Sequence, residues 1–126
     1  MKRILFLLLT LVLVGCNTEE KPIYLDCYGE GWEIIILIDK QNGLIAEKEL
    51  IPELPEKDQY LVSKLHVEDK YYGYYDGVYP VPLINRFTLE VTEDFPVDKC
   101  VVSENQYPEV RAEAIKIYKD QTTPKI

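Results

Sequence analysis

The segment Trp32 to Asp39 limits the fold of this chain more than any other. It is a near-continuous apolar run in which Trp32, Ile34, Ile36 and Ile38 alternate with Glu33, Ile35 and Leu37. β-Branched side chains are stiff at χ1 and pack well on a pleated surface, so the run reads as a central strand buried on both faces. Each side of it must therefore be covered by other elements. Asp39-Lys40-Gln41-Asn42-Gly43 closes the run, and Asn42-Gly43 is expected at the two positive-φ positions of a type I′ hairpin turn. Leu44 to Leu50 then returns as the next strand. A calcium loop over Asp39 to Gly43 is not expected, because the glycine falls one position early and no acidic residue stands at the bidentate place.

Period-two alternation extends on both sides of this hairpin. Ile23, Leu25 and Cys27 share one face of a first strand, and Tyr24, Asp26 and Tyr28 the other. Pro52 and Pro55 make Ile51 to Asp58 a loop, after which Gln59 to Val67 alternates with Leu61, Ser63, Leu65 and Val67 on one face. Glu68-Asp69-Lys70 turns the chain into Tyr71 to Tyr75, which Asp76-Gly77 ends. Pro80 and Pro82 bound a loop, Leu83 to Thr92 reads as a further strand, and Val97 to Ser103 as the last. Pro108 suits the first turn of a helix, and Val110, Ala114, Ile117 and Tyr118 recur at helical spacing. The expectation is an amphipathic helix over 108–119 and a frayed Gln121 to Ile126. Six or seven short strands with hairpin-length connections predict a mainly β chain, a small antiparallel sandwich or barrel with one C-terminal helix.

The beginning of the chain has a different character. Lys2 and Arg3 precede an eleven-residue run, Ile4 to Val14, interrupted only by Thr10. That is a charged region followed by the short apolar region of a secretory signal, and it falls short of the roughly 20 residues a spanning helix needs. Leu13-Val14-Gly15-Cys16 follows, and this tetrapeptide resembles the lipobox of bacterial lipoproteins. The resemblance implies a thioether-linked diacylglycerol on Cys16 and cleavage of the bond before it. Small Gly15 suits the protease, and the Cys16 thiolate is the lipid-accepting nucleophile. The chain would then divide into a signal peptide (1–15), a tether (16–22) and one domain (23–126). Two or more acyl chains hold a protein stably on a bilayer. Asn17, where Asp would retain an enterobacterial-type lipoprotein on the inner membrane, points to the outer membrane if the host has one, otherwise to the outer face of the cytoplasmic membrane. The other reading is an ordinary secreted protein with an incidental cysteine.

Export gives the remaining cysteines a meaning. Cys27 and Cys100 form an even pair, expected as a disulfide in an oxidising compartment; two separate buried thiols are the alternative. A metal site is not expected, since neither cysteine has a Cys or His neighbour at ligand spacing. The 14 basic and 22 acidic residues give a net charge of −8, and loss of Lys2 and Arg3 with the leader makes it about −10. Such a chain repels phosphate backbones, so nucleic acid is not an expected partner. With 47% hydrophobic residues it can build a core.

No catalytic residue and no cofactor are expected. His66 is the sole histidine, and it is placed on the Tyr60, Val62, Lys64 face as a half-exposed surface residue, while Ser63 points the other way. Glu53, Glu56, Asp58, Glu90, Glu93 and Asp94 lie in loops and turns, where solvation is their ordinary role. Tyr71-Tyr72-Gly73-Tyr74-Tyr75-Asp76-Gly77-Val78-Tyr79 stands out. Alternation sends Tyr71 and Tyr75 to one side and Tyr72 and Tyr74 to the other, so one pair should face solvent and, with Tyr79, offer a surface for a protein or glycan. Core packing with cross-strand support is the plainer reading. Ile84-Asn85-Arg86-Phe87-Thr88, a cysteine a dozen residues on and an early Leu-Asp-Cys strand are similar to a pattern of small uncharacterised bacterial β-proteins. There Gly usually follows the Thr; here it is Leu89. That resemblance supports the fold and the disulfide and implies no activity.

The functional expectation is a non-enzymatic, lipid-anchored envelope protein with a partner outside the cytoplasm. The alternative is a periplasmic inhibitor of a lysozyme-like enzyme, because such inhibitors include small disulfide-bridged β-barrel lipoproteins and an acidic surface suits a basic enzyme. The Ser-Gly-x-x-Tyr and Tyr-x-x-x-Thr-Lys-Gly motifs of the membrane-bound C-type inhibitors are absent.

Overall fold

A computed structural model describes residues 21–29, 31–92 and 99–124. Its strands are β1 (Ile23–Gly29), β2 (Trp32–Asp39), β3 (Leu44–Glu49), β4 (Tyr60–Val67), β5 (Tyr71–Asp76), β6 (Tyr79–Asn85) and β7 (Lys99–Val102). A short 3-10 turn (Glu56–Gln59) precedes β4, and one helix, α1 (Pro108–Thr122), follows β7. All pairings are antiparallel and form a single sheet in the order β6-β5-β4-β3-β2-β1-β7. In a flat sheet β1 and β6 would stand about 24 Å apart, roughly five inter-strand spacings. Leu25 of β1 and Ile84 of β6 nevertheless belong to one buried cluster and line one cavity. The sheet is therefore curled into a half-barrel, which makes the chain mainly β with one C-terminal helix.

The curl explains how β2 is covered on both sides. Ile34, Ile36 and Ile38 point to the inner face, against Leu25, Tyr72 and Ile84. Ile35 and Leu37 point to the outer face, where Leu44, Ala46 and Val62 pack against Ala114 of α1. The helix runs three residues beyond the expected 108–119, with Pro108 in its first turn. Tyr107 fixes its approach to the sheet: its ring meets Tyr24 edge-on at 5.7 Å, and its hydroxyl donates to Asp26 Oδ1 at 2.9 Å.

Cys27 stands opposite Cys100 in the β1–β7 register, and the two are joined as a disulfide. The bridge links residues 73 apart, a loop whose closure is worth roughly 4 kcal/mol in the chain-entropy account.

Two local expectations are corrected. The β2–β3 loop comprises Lys40 to Gly43 between the paired Asp39 and Leu44, and Gly43 takes φ +67° while Asn42 does not have positive φ. It is a turn closed by Gly43 N–H to Lys40 O at 3.3 Å, not a type I′ pair at Asn42-Gly43. The cause is Asp39, which accepts from the Asn42 backbone N–H (3.2 Å) and from its Nδ2 (2.9 Å) and so holds Asn42 in the turn.

The second correction concerns 80–92. Pro80 and Pro82 lie inside β6, which tolerates them because it is an edge strand. The strand ends at Asn85, whose Oδ1 accepts from the N–H groups of Phe87 (2.8 Å) and Thr88 (3.0 Å). Leu89 then adopts φ +60°, and Val91 returns to bridge with Ile84. The expected strand from Leu83 to Thr92 is thus a strand end, an Asx turn and a return segment whose Leu89 and Val91 pack on the inner core. The last strand occupies Lys99–Val102 of the expected Val97 to Ser103. Cys16, the leader and Glu93 to Asp98 lie outside the described residues.

Candidate functional site

The inner face of the half-barrel changes character along its length. Near the start of β1 it is apolar: Ile23, Leu25, Ile38, Ile84 and Leu89 line a cavity of about 210 Å³, with Arg86 and Phe87 at its margin. Tyr72 closes this part, buried beneath two cations, with Arg86 Cζ 4.7 Å and Lys40 Nζ 5.4 Å from its ring centroid. Towards the other end the same face becomes acidic. The registers set Glu47 of β3 opposite Ile36 and Leu61, and Glu49 opposite Ile34, so both carboxylates share the side on which Ile45 is buried.

Glu47 is half-buried, and its carboxyl has no hydrogen-bond or ion-pair partner among the described residues. Burial, reinforced by the charge of Glu49, pushes its pKa up from 4.5 to about 7. Across the trough the register places Tyr74 opposite Val81 and Asp76 opposite Tyr79. Leu61 is 62% exposed and Tyr79 74% exposed. The trough therefore presents carboxylates beside apolar and aromatic surface, a combination suited to a cationic partner with an apolar body.

The tyrosines separate along these faces. Tyr72 and Tyr74 face the inner side, Tyr72 fully packed and Tyr74 against the core. Tyr71 and Tyr75 face outward but are half-buried. Tyr79 projects from the rim of the trough, so of the five expected binding tyrosines it offers the most open side chain.

His66 is more enclosed than expected, its side chain 18% exposed. Its Nε2 lies 2.8 Å from Glu68 Oε1 and its Nδ1 3.1 Å from the Tyr75 hydroxyl. A proton on Nε2 satisfies both contacts, donating to Glu68 while Nδ1 accepts from Tyr75. Hydroxyl, imidazole and carboxylate stand in the order of a general-base relay. Their hydrogen bonds are spent within the group, however, and Lys64 Nζ stacks 5.2 Å from the Tyr75 ring centroid. This chain is a clasp between β4 and β5 on the outer face.

A second buried polar centre joins the helix to the sheet. Asp39 is fully buried, and Arg111 of α1 donates from Nε to its Oδ2 at 2.8 Å and from Nη2 to Gln41 Oε1 at 3.0 Å. Burial pushes the Asp39 carboxyl up, but the bonds from Arg111 and Asn42 outweigh it and hold the pKa below the ordinary value. Tyr60, also under the helix, is driven the other way, to about 12, by burial and by the neighbouring Glu56, Glu113 and Glu109. Among the described residues no group of three or more His, Cys, Asp or Glu side chains is placed to hold a metal ion.

Sequence reasoning missed Glu47 and Glu49. The signal was present in their parity with Ile45. The loop carboxylates Glu53, Glu56, Asp58 and Glu90 are exposed. Compared with known proteins, the chain matches no family model, no curated protein and no solved structure.

Proposed function

We propose that the chain is a bacterial envelope lipoprotein, attached through diacylglycerol on Cys16, whose β-domain is a non-enzymatic binding module for a basic partner. The observation that carries the binding reading is the acidic trough: Glu47 and Glu49 on the inner face, beside exposed Leu61 and Tyr79. A half-buried carboxylate without a partner among the described residues costs stability, and such a cost is characteristic of a site kept for binding. Attachment rests on the leader and on Leu13-Val14-Gly15-Cys16; Asn17 favours the outer membrane where the host has one. Inhibition of a lysozyme-like enzyme is the second reading, and the same acidic trough favours it, because such an enzyme would present the complementary charge.

The test uses the full chain in its membrane. Cys16→Ser should abolish incorporation of a palmitate analogue, and unchanged labelling would refute the anchor. Photo-crosslinking from position 79 should capture a basic envelope protein, with capture reduced about tenfold or more by Glu47→Gln combined with Glu49→Gln. Protection of cell walls against a basic muramidase would select the inhibitor reading. Capture unaffected by the charge change would refute the trough as the site.

A further inference from the structure

Resting on the lipoprotein reading, the geometry points to a defined orientation on the membrane: we propose that the rim formed by the 40–43, 68–70 and 86–88 turns lies against anionic phospholipid headgroups, with Phe87 entering the interface. All three turns lie at the end of the half-barrel where β1 begins. Phe87 is 78% exposed at the tip of a turn held rigid by Asn85. It lines the same cavity as Ile23, the first residue of β1, so the tether arrives beside it.

Length and charge restrict the alternatives. Residues 17–22 reach at most about 20 Å when fully extended, which keeps this rim near the headgroups. The rim carries Lys21, Lys40, Lys70 and Arg86 against Glu68, Asp69, Glu90 and Glu104, which follows Ser103 beside the start of β1, and is close to neutral. At the opposite end Glu33, Glu49, Glu53, Glu56, Asp58 and Asp76 outnumber the lysines of the same segments, Lys48, Lys57 and Lys99. An eight-residue strand such as β2 is roughly 27 Å long, while the Debye length is about 8–10 Å. With the near-neutral rim inward, the acidic end stands outside the repulsive field of an anionic surface. Inverting the domain would press that end into it. Aromatic side chains flanked by Lys and Arg are the usual residents of the headgroup region. The orientation also leaves the trough's acidic end, with Tyr79 and Val78, directed away from the bilayer.

The experiment reads depth with single tryptophans in the full chain carrying Trp32→Phe. The mature protein is purified from bacterial membranes, its acyl mass confirmed, and reconstituted into phosphatidylethanolamine–phosphatidylglycerol vesicles containing brominated acyl chains. Phe87→Trp should lose about half its emission relative to unbrominated vesicles, as expected for a side chain at the headgroup–acyl boundary, while Val78→Trp at the opposite end should change little. Lys70→Trp on the adjacent turn gives a second reporter should Phe87→Trp fail to fold. Quenching of Val78→Trp equal to that of the rim reporters, or quenching of neither, in acylated protein would overturn the orientation and leave the anchor intact. A mature protein without acyl mass would instead overturn the anchor reading, and the orientation with it. Shielding of the Phe87 position by dimerisation without lipid would assign the rim to a second copy and refute the proposal.

Discussion

Replacing Glu47 by Gln removes a charge while keeping the shape of the side chain, and its effect follows from where the carboxyl sits. Burial, with the charge of Glu49, raises the Glu47 pKa from 4.5 to about 7. At roughly 1.4 kcal/mol per unit, that difference corresponds to at most about 3.5 kcal/mol. The sign follows from proton linkage. Between these two values the folded chain holds a proton on Glu47 that the unfolded chain has released, so stability falls as pH rises from about 4.5 to about 7 and then levels off. Asp39 acts in a different window, because its pKa is lowered and its contribution is lost only in acid, below its ordinary 3.8. The difference between wild type and Glu47→Gln therefore isolates Glu47. At about pH 4, below the unfolded pKa, the two should unfold almost together. At about pH 8 the Gln form should be more stable by about 2–3 kcal/mol, or roughly 10 °C in Tm for a domain of this size. Urea unfolding followed by circular dichroism across this range measures it directly. Parallel curves for the two proteins, or a less stable Gln variant at pH 8, would refute the buried, unpaired carboxyl.

The same structure yields three further expectations. Arg111→Leu leaves Asp39 buried without its cation and should cost about 3–5 kcal/mol; Asp39→Asn in that background should recover part of the loss, since a neutral amide needs no counter-charge, and thermal melts of both variants decide it. Loss of the Cys27–Cys100 bridge by paired replacement with Ala should cost about 4 kcal/mol by denaturant unfolding, matched by reduction of the wild type. Gly73→Ala would drive a Cβ into the Val81 carbonyl oxygen, so the β5–β6 pairing must shift, and a loss of about 2 kcal/mol or more is expected; a wild-type Tm would show that the close approach is not there.

What could be read in the sequence depended on whether the cause was local. The β2 run announces its burial through composition alone, and Cys27 and Cys100 announce themselves as the even pair that remains once Cys16 is set aside. Residues 83–92 misled because apolar alternation continues through them, while Asn85 captures two backbone N–H groups and ends the strand. A glycine after Thr88 would have marked the turn, and Leu89 holds the left-handed position that such a glycine would occupy. His66 lay on the expected face, but its enclosure comes from Tyr75 on the next strand. Glu47 was hidden for a related reason. Parity says that it shares a side with Ile45, yet both sides of this sheet are covered somewhere, one by α1 and one by the curl. Which side becomes the trough is decided by all seven strands together.

The openness of that trough has its own cause in the sequence. A seven-stranded sheet curled this far would become a closed barrel if β6 paired with β7, and closure would remove the liability of two free edges. Pro80 and Pro82 prevent it. Each pairs within β6 against β5, opposite Tyr75 and Gly73, and neither has an N–H to offer a strand on the other side. Among the described residues β7 spans Lys99–Val102, and its position is fixed on β1 by the Cys27–Cys100 bridge. The return segment through Leu89 and Val91 fills the apolar end of the gap, while Leu61 and Tyr79 stay accessible at the acidic end. A closed barrel of the same strands would turn Glu47 and Glu49 into an enclosed interior, where burying both carboxylates would cost more than edge closure returns. The prolines and the carboxylates thus depend on one another: the first keep the sheet open, and the open sheet is what makes the second tolerable.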